Sequence, residues 1–311
     1  MATLTVQDNL QQFSTPGNLE DVVFKSIEFV QKTLSENRNL VLITAGGTSV
    51  PLEQNTVRCI ENFSTGRRGA ISAENFLLAD YNVIYLHRNG SSFPFERKFV
   101  DYLDEKSKRL MDIFTIANDC VNIAENFPKD LKDSLKHYEL LKNNILTIKY
   151  TSLSEYMHYT HAICNALKPI EKRAMIYLAA AVSDFFVSNS DTQVHKIQSS
   201  DKLINLKLSP VPKMLGKLVE SWAPDAYVVT FKLETDPEIL DHKAKSALIK
   251  YRHEAVVANT LHDRYNTVKI LTELENIVIR LSEEETHAKV NIEQKIVEKL
   301  IKFHVNHMTS I

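Results

Sequence analysis

Two glycine-rich loops are the first places where this sequence could do chemistry. The chain has only seven glycines in 311 residues, yet four of them fall within 24 positions. One loop is Ala45–Thr48 (AGGT), and the other is Asn62–Gly69 (NFSTGRRG). Glycine lets a backbone turn sharply or approach a ligand closely, and the NH groups at the start of a helix favour anions. Both loops are therefore candidate phosphate sites, with a tight turn or a helix cap as the alternative. The candidate binding residues are Gly46, Gly47, Ser64, Gly66 and Gly69.

Further polar and aromatic side chains follow predicted strands or lie in an extended segment. Asp184 comes after three alanines, Ala179–Ala181, which leave room for a ligand against the strand. Its carboxylate could orient a ligand amide or hydroxyl, help hold a metal ion, or cap a helix. Lys196 could neutralise a triphosphate or stay solvated. Phe231 could pack against a base or belong to the core, and Asn259 could read a base edge or ribose or form a turn.

The elements that must position these residues alternate between strand and helix. Segments with helical periodicity separate most of the apolar runs of strand length, which is typical of a parallel sheet. The runs are Leu40–Thr44, Val83–Leu86, Leu146–Tyr150, Met175–Ala181, Tyr227–Phe231, Ala255–Ala258, Val268–Leu271 and Ile277–Leu281. The helical segments are 18–37, 70–78, 129–144, 153–167, 211–220 and 237–252, with a last helix capped by Asn291. This pattern predicts an α/β, Rossmann-like fold: a mostly parallel sheet with helices on both faces.

Two segments interrupt this alternation. Residues 89–128 indicate a loop or an insertion. Residues 187–210 are polar, partly alternating and bounded by Pro210, which predicts an extended flap or arm that serves as a ligand lid or a subunit contact. No repeat or Pro/Gly linker divides the chain, so we expect one domain over residues 1–311.

Composition excludes several classes of protein. The chain has 37 Lys and Arg against 39 Asp and Glu, a net charge of −2, which does not favour nucleic acid as a partner. Its start lacks an apolar export segment, and the longest apolar run, Ala174–Val182, is about half a membrane span. We therefore expect a cytoplasmic protein without a membrane partner. Three scattered cysteines fit no disulfide framework, and the histidines form no dense set of metal ligands, so no protein-held metal site is predicted.

Six segments, taken in order, resemble the sequence blocks of phosphopantothenate–cysteine ligases of the eukaryotic, monofunctional type. They are Ile43–Glu53, Asn62–Ala70, Ala179–Asp184, His195–Ser199, Phe231–Asp236 and Val257–Asn259. Six blocks in one order are far more specific than any single block. In bacteria the similar domain usually follows a flavin-dependent decarboxylase, and nothing in this chain resembles that enzyme.

The resemblance implies a step of coenzyme A biosynthesis. The carboxylate of 4′-phosphopantothenate attacks the α-phosphorus of ATP or CTP, which releases pyrophosphate and leaves an acyl-nucleotide. The amine of L-cysteine then attacks this intermediate and gives 4′-phosphopantothenoylcysteine and the nucleoside monophosphate. Neither step needs a protein nucleophile, so catalysis would come from positioning and charge stabilisation. The resemblance also implies Mg²⁺ and a homodimer in which the 187–210 segment is exchanged.

The resemblance assigns roles residue by residue. Gly46, Ser64, Gly66 and Gly69 look like the triphosphate cradle. Phe231 and Asn259 would lie near the nucleoside, and Lys245 is a further nucleotide-binding candidate although the bacterial lysines of that region do not align with it cleanly.

The remaining roles concern the acid substrate and the charge on the nucleotide. Asn62, Ala180, Ala181 and Asp184 would contact the pantothenate part or the acyl-nucleotide, with Asn62 as donor to the reacting acyl oxygen. Lys196 would be the flap lysine that neutralises the triphosphate. The resemblance does not assign the groups that hold the substrate's own phosphate, for which Arg58, Arg67, Arg68 and flap residues from a partner subunit are candidates. Where bacterial relatives have further lysines after the flap lysine, this chain has Ile197–Ser199, which favours ATP over CTP.

Two other classes of function compete with a ligase. An NAD(P)-dependent Rossmann oxidoreductase is compatible with the Tyr-x-x-x-Lys spacing of Tyr102 and Lys106, but the G-x-G-x-x-G fingerprint is absent. A Walker loop is excluded as well, because no G-K-[ST] follows the first glycine loop. A non-catalytic, nucleotide-binding regulatory paralogue is the second alternative. The joint presence of Asn62, Asp184 and Lys196 argues against a decayed site.

Overall fold

An eight-stranded sheet organises the part of the chain that the computed structural model describes, which is residues 10–123, 128–188, 191–198 and 205–310. The strands, numbered along the chain, are β1 (Leu40–Ala45), β2 (Ser49–Pro51), β3 (Cys59–Glu61), β4 (Asn82–Arg88), β5 (Phe114–Ala117), β6 (Cys120–Ile123), β7 (Ile145–Tyr150), β8 (Ala174–Leu178), β9 (Phe185–Phe186), β10 (Ser209–Pro210), β11 (Tyr227–Glu234), β12 (Ala255–Thr260), β13 (Thr267–Leu271) and β14 (Asn276–Arg280). Three two-stranded sheets, formed by β2 with β3, β5 with β6, and β9 with β10, accompany the eight-stranded sheet in these ranges. The order in the sheet is β14-β13-β12-β11-β8-β1-β4-β7. All pairs from β12 to β7 are parallel, and β13 and β14 add an antiparallel edge.

Helices cover both faces of this sheet, as the alternating pattern predicts. They are α1 (Leu19–Ser35), α2 (Arg67–Leu78), α3 (Arg97–Glu105), α4 (Lys129–Leu141), α5 (Leu153–Leu167), α6 (Leu215–Lys217), α7 (Pro237–Tyr251), α8 (Glu283–His287) and α9 (Ile292–Thr309). Successive residues of a strand point to opposite faces. Accordingly, Leu40 and Leu42 pack in the core with α1 and α5, whereas Val41 and Ile43 pack with α2 and α9. The prediction of a Rossmann-like α/β fold is confirmed.

The order of winding places a ligand crevice between β1 and β8. The chain runs from β1 outward through β4 to β7, then returns to β8 on the other side of β1 and continues to β11 and β12. This is the 3-2-1-4-5-6 order of doubly wound sheets, in which ligands bind outside the carboxyl ends of the strands where the winding reverses. The loops that leave β1 and β8 are therefore the ones that the fold brings to this crevice.

Several local predictions need correction. Of the two alternatives for residues 89–128, the loop is wrong, because the segment contains α3 and the β5–β6 hairpin, whereas the insertion stays a prediction. Glu74 anchors the start of α3 by accepting from the backbone of Phe95 and the side chain of Arg97. The strand predicted to reach Ala181 ends at Leu178, and beyond it Ala181 forms an isolated parallel bridge with Gly47. The helix predicted over 211–220 consists of α6 and a short π-helix, Leu218–Trp222.

Predicted helix caps and the predicted flap also differ in detail. Asn18 and Asn291 stand at helix starts but make no capping bond with their side chains, and Asn18 instead accepts a hydrogen bond from Tyr159. β9 and β10 pair antiparallel at the two ends of the expected flap. Residues 189–190 and 199–204 of this flap lie outside the described residues. The prediction of a single domain stays a prediction.

His304 ties α9 to the sheet as a neutral imidazole. It is fully buried, with Nε2 2.9 Å from the carbonyl oxygen of Lys172 and Nδ1 2.8 Å from the hydroxyl of Tyr81. A carbonyl only accepts, so Nε2 donates and Nδ1 accepts from the tyrosine. Burial lowers the pKa of His304 to about 4.

This low pKa predicts a loss of stability in acid. The unfolded chain binds a proton at His304 near pH 6.5, whereas the folded chain resists it down to about pH 4. The contribution of His304 is therefore complete above pH 6.5 and is lost as the pH falls towards 4. Between pH 7.5 and 5.0 we expect His304 to account for about 2 kcal/mol of the decrease in unfolding free energy. Urea unfolding of His304→Gln at both pH values should show a decrease smaller by that amount; an unchanged decrease would contradict the assignment.

Candidate functional site

The loops that follow β1 and β8 run side by side and form one backbone platform. The amide of Ala181 donates to the carbonyl of Gly46 at 2.8 Å, and the amide of Thr48 donates to the carbonyl of Ala181 at 3.2 Å. The hydroxyl of Thr48 accepts from the amide of Ser183 at 2.9 Å. These bonds extend the parallel pairing beyond the strands. The platform consists of Gly46–Thr48 and Ala180–Ser183, at the crevice that the winding predicts.

The two alanines of the predicted substrate site therefore have their amides occupied. Ala180 donates to the Thr44 hydroxyl at 3.2 Å, and Ala181 donates to Gly46. Both alanines are half-buried, and Ala180 packs against the hydrophobic core on the α1 and α5 side of the sheet. Their contact with a ligand stays a prediction.

Asn62 lies where three segments meet. It follows the hairpin formed by β2 and β3, and its amide donates to the carbonyl of Thr48 at 3.3 Å. Its side-chain nitrogen donates to the carbonyl of Val182 at 3.4 Å. A carboxamide nitrogen carries two hydrogens, so a second donor remains for a ligand. The predicted catalytic amide is thus held on the platform by the backbones of both loops.

The second glycine loop touches the first. Gly66 has φ +74° and is the N-cap of α2, and a Cβ on it would lie 2.9 Å from the Cβ of Ser91 and 3.4 Å from the nitrogen of Gly46. The Ser64 hydroxyl accepts a long hydrogen bond, 3.4 Å, from the amide of Gly66. The first amides of α2 lack partners within the helix and carry its positive dipole end. This arrangement suits a phosphate group.

Gly69 has a packing role in the structure. It is buried in the first turn of α2, and a Cβ there would lie 2.4 Å from the Cβ of Ala45. Glycine therefore lets α2 approach the end of β1. The contact of Gly69 with a phosphate stays a prediction.

Arg88 is a charged residue at the platform that the sequence analysis missed. Its guanidinium donates to the carbonyl of Gly47 at 3.2 Å and pairs with Glu61, next to Asn62, at 2.6 Å. The missed signal is its position: Arg88 ends β4, which is adjacent to β1, so its side chain emerges at the same edge of the sheet. An arginine there adds positive charge to a candidate anion site.

Beneath Gly66, His87 and Ser91 form a small polar pair. His87 is buried, and its Nδ1 lies 3.3 Å from the Ser91 hydroxyl. Burial, with a smaller effect of Lys149, lowers the pKa of His87 to about 4. The imidazole is therefore neutral at physiological pH and adds no charge to the loop above it.

Asp184 lies at the root of the flap rather than at a helix start. Its carboxylate is exposed and lies 2.6 Å from the ammonium of Lys213, while its carbonyl accepts from the amide of Val211. Because β9 begins at the next residue, the helix-cap alternative is wrong. Lys213 is a second cation near the site that sequence reasoning missed.

The described part of the flap that carries Lys196 lies against the turn of the β2–β3 hairpin. The amides of Gln54 and Asn55 donate to the carbonyls of Gln193 and Val194 at 2.8 and 3.0 Å. Arg58 donates to the carbonyl of Ile197. The Lys196 side chain is exposed. The flap and Asn62 are therefore connected through one short hairpin.

The two residues predicted to bind the nucleoside, Phe231 and Asn259, lie on β11 and β12, towards the same carboxyl edge of the sheet. The Phe231 ring is half-buried, lies 4.8 Å from the ring of Tyr177, and has the guanidinium of Arg68 5.6 Å from its centre. Asn259 is 5% exposed and lies within β12, so the turn alternative is wrong. Lys245 is exposed on α7.

Two arginines of the second loop already have partners in the chain. Arg67 pairs with Asp101 at 2.6 Å, and Arg68 donates to the carbonyl of Arg264 at 2.6 Å. Arg58 pairs with Glu53 at 2.9 Å. The candidates for the substrate's own phosphate are therefore engaged in ion pairs or backbone bonds, and their binding role stays a prediction.

Over the described ranges, no three His, Cys, Asp or Glu side chains come together in a way that could hold a metal ion. Nor does any described helix combine the length and apolar character needed to cross a membrane.

Both the sequence and the fold of this chain match those of known proteins. Residues 148–304 match the family model described as the DNA/pantothenate metabolism flavoprotein C-terminal domain. Phosphopantothenate–cysteine ligase of Homo sapiens is 39% identical over 304 residues, which cover 96% of each chain. Phosphopantothenate–cysteine ligase CAB2 of Saccharomyces cerevisiae is 38% identical over 94% of this chain and 85% of its own length.

The chain belongs to the phosphopantothenate–cysteine ligase family. A solved structure of a Cab2 mutant in complex with phosphopantothenate-cysteine has a TM-score of 0.88 and 35% sequence identity, over 97% of this chain and 98% of that one. The sequence-based family assignment is confirmed. The match to phosphopantothenate–cysteine ligases over almost the whole chain does not favour the two alternative functions, an oxidoreductase and a regulatory paralogue.

The close contact at Gly47 generates a prediction for this ligase. A Cβ at Gly47 would lie 1.9 Å from the carbonyl oxygen of Asn62, so Gly47→Ala must displace the Asn62 backbone. Misplacing a catalytic group by about 1 Å can cost about 100-fold in rate. We therefore expect kcat/KM for ligation to fall about 100-fold or more in Gly47→Ala. Gly17→Ala is the control, because a Cβ at Gly17 meets nothing within 4 Å. Equal kcat/KM in the two variants would show that the contact is not needed.

Proposed function

We propose that this protein joins 4′-phosphopantothenate to L-cysteine in coenzyme A biosynthesis, in a reaction driven by a nucleoside triphosphate. The observation that carries the proposal is the convergence of both glycine loops and the alanine segment around Asn62, in a chain that belongs to this ligase family. A phosphate and a carboxylate can meet on this platform without a protein nucleophile.

In the first step the carboxylate of 4′-phosphopantothenate attacks the α-phosphorus, and pyrophosphate leaves. The amides of the glycine loops and of the first turn of α2 bind the phosphate oxygens, and Arg88 and Lys196 offset their negative charge. Asn62 orients the carboxylate through its remaining side-chain hydrogen. In this scheme the groups are in position before negative charge develops, so little reorganisation is needed.

In the second step the amine of L-cysteine attacks the acyl carbon. The nucleoside monophosphate leaves with the electron pair of the acyl–phosphate bond, and the amine loses a proton as the amide forms. Asn62 donates to the acyl oxygen while it carries negative charge. Asp184 would orient an amide or hydroxyl of the pantothenate part, with Lys213 holding its carboxylate in place.

The nucleotide and the assembly complete the proposal. Phe231 and Asn259 lie near the base and ribose, and the segment after Lys196 supports ATP over CTP. Mg²⁺ would enter bound to the triphosphate as its counter-ion. We further propose a cytoplasmic homodimer with a contact through the 187–210 segment.

The nucleotide products test the reaction route. Purified protein with 4′-phosphopantothenate, L-cysteine, Mg²⁺ and ATP should release AMP and pyrophosphate in equal amounts, because attack at the α-phosphorus transfers the nucleotide. The same assay with CTP should give a lower kcat/KM. ADP and phosphate would instead indicate an acyl-phosphate route, and no cysteine-dependent turnover with either nucleotide would overturn the ligase proposal.

Asn62→Asp tests the amide donor. The carboxylate removes the donor and places negative charge beside the acyl oxygen, so we expect kcat to fall about 10²–10³-fold, the usual effect of losing one such donor. Asn75→Asp is a matched control, since the side-chain nitrogen of Asn75 also donates to a backbone carbonyl, that of Ile71, but lies within α2. Rapid-quench measurement of acyl-nucleotide and product follows both steps. Wild-type turnover in Asn62→Asp would remove Asn62 from the mechanism.

A further inference from the structure

Glu53 is a fully buried carboxylate in the turn between β2 and β3. One of its oxygens accepts from the amides of Arg58 at 3.1 Å and Val57 at 3.4 Å. The other accepts from Nε of Arg58 at 3.0 Å and from the amide of Ile197 at 3.3 Å. A buried charge is costly unless it is hydrogen-bonded and paired, and these four donors meet that requirement.

The flap residue Ile197 is held at both ends of its backbone. Its amide donates to Glu53, and its carbonyl accepts from Arg58. The preceding residues Gln193 and Val194 add backbone bonds to Gln54 and Asn55. Glu53 and Arg58 are themselves paired at 2.9 Å, so the ion pair joins the flap to the hairpin.

The same hairpin carries Asn62 at its other end. β3 runs from Cys59 to Glu61, and Asn62 follows directly and lies on the platform. Lys196 directly precedes the clamped Ile197. A short paired hairpin therefore connects the proposed triphosphate cation to the proposed acyl-oxygen donor.

We propose that Glu53 is a positioning residue that docks the flap, and with it Lys196, on the hairpin that presents Asn62. The part concerning Lys196 in the reaction rests on the proposed function. Burial opposes the ionisation of Glu53, but the amides of Arg58, Ile197 and Val57 together with the Arg58 guanidinium lower its pKa below the ordinary value. The carboxylate is therefore charged at neutral pH and keeps its hydrogen bond to the amide of Ile197 and its ion pair with Arg58.

A purely local role for Glu53 makes a different prediction. Its bonds to Val57 and Arg58 close the hairpin turn, whereas its bond to Ile197 reaches across 144 residues to the flap. Glu53→Gln loses the charge and one acceptor oxygen. Glu53→Asp keeps the charge for the turn but is one methylene too short to reach Ile197 as well. A local role would leave the flap unaffected in Glu53→Asp.

Limited trypsin digestion measures docking directly, without any assay of activity. The bond between Lys196 and Ile197 is a trypsin site, and in the docked flap both the amide and the carbonyl of Ile197 are bound. We expect cleavage after Lys196, followed by mass spectrometry, to be about tenfold faster in Glu53→Gln and Glu53→Asp. Glu285→Gln is the matched control, because Glu285 also accepts from a backbone amide and pairs with a cation, Lys295. Equal cleavage rates in wild type and both Glu53 variants would overturn the proposal.

A double-mutant cycle tests whether Glu53 acts through Lys196. We expect Glu53→Gln to lower kcat about tenfold with the KM for cysteine unchanged. In a Lys196→Ala background the same substitution should have no further effect, because coupled residues are not additive. A tenfold loss in that background as well would show that Glu53 acts independently and would overturn the proposal. If the wild type does not ligate, the proposed function fails and the trypsin rates still decide whether Glu53 docks the flap. If Glu53→Gln does not fold, the trypsin digestion and the double-mutant cycle are both done with Glu53→Asp.

Discussion

The site depends on backbone meeting backbone where β1, the β2–β3 hairpin and the loop after β8 converge. A Cβ at Gly47 would lie 1.9 Å from the carbonyl of Asn62, and one at Gly46 would lie 2.4 Å from the Cβ of Arg88. No side chain fits between such segments. The chain has seven glycines in all and places four of them in these loops. Their concentration here lets the main chain of several loops pack closely at one crevice, which side chains would prevent.

Charge at the platform is arranged around this backbone contact. Arg88 binds the carbonyl of Gly47 while pairing with Glu61, and Asp184 pairs with Lys213. Glu61 and the carbonyl of Gly47 hold the mostly buried guanidinium of Arg88 in place, whereas Asp184 and Lys213 form an exposed surface pair. Preorganised charge of this kind stabilises developing negative charge better than solvent can, because it does not have to reorient during the reaction.

The fold supplies the crevice but does not dictate its chemistry. The strand order is the one used by dinucleotide-binding enzymes, yet the first loop is AGGT and lacks their glycine fingerprint. A fold of this kind hosts many activities, and the function has to be argued from the residues at the site. In our proposal those residues are the amide of Asn62, the small residues Ala180 and Ala181, and the flap docked at Glu53. Together they suit the joining of an acid to an amine.

The sequence by itself determined the alternation of strands and helices, the two glycine loops and the membership of the ligase family. Strand and helix periods repeat over a few positions and a loop motif spans about ten, so contiguous residues are enough to predict them. The family is indicated by the order of six such motifs along the chain. Local pattern was insufficient at Ala179–Ala181, which lie beyond the end of β8, and at residues 211–220, where α6 is followed by a short π-helix. Only the tertiary structure decided the contacts of Glu53 with Ile197, Arg88 with Gly47 and His304 with Tyr81. Each joins residues 41 to 223 positions apart, and such pairs are selected by how elements pack rather than by any pattern along the chain.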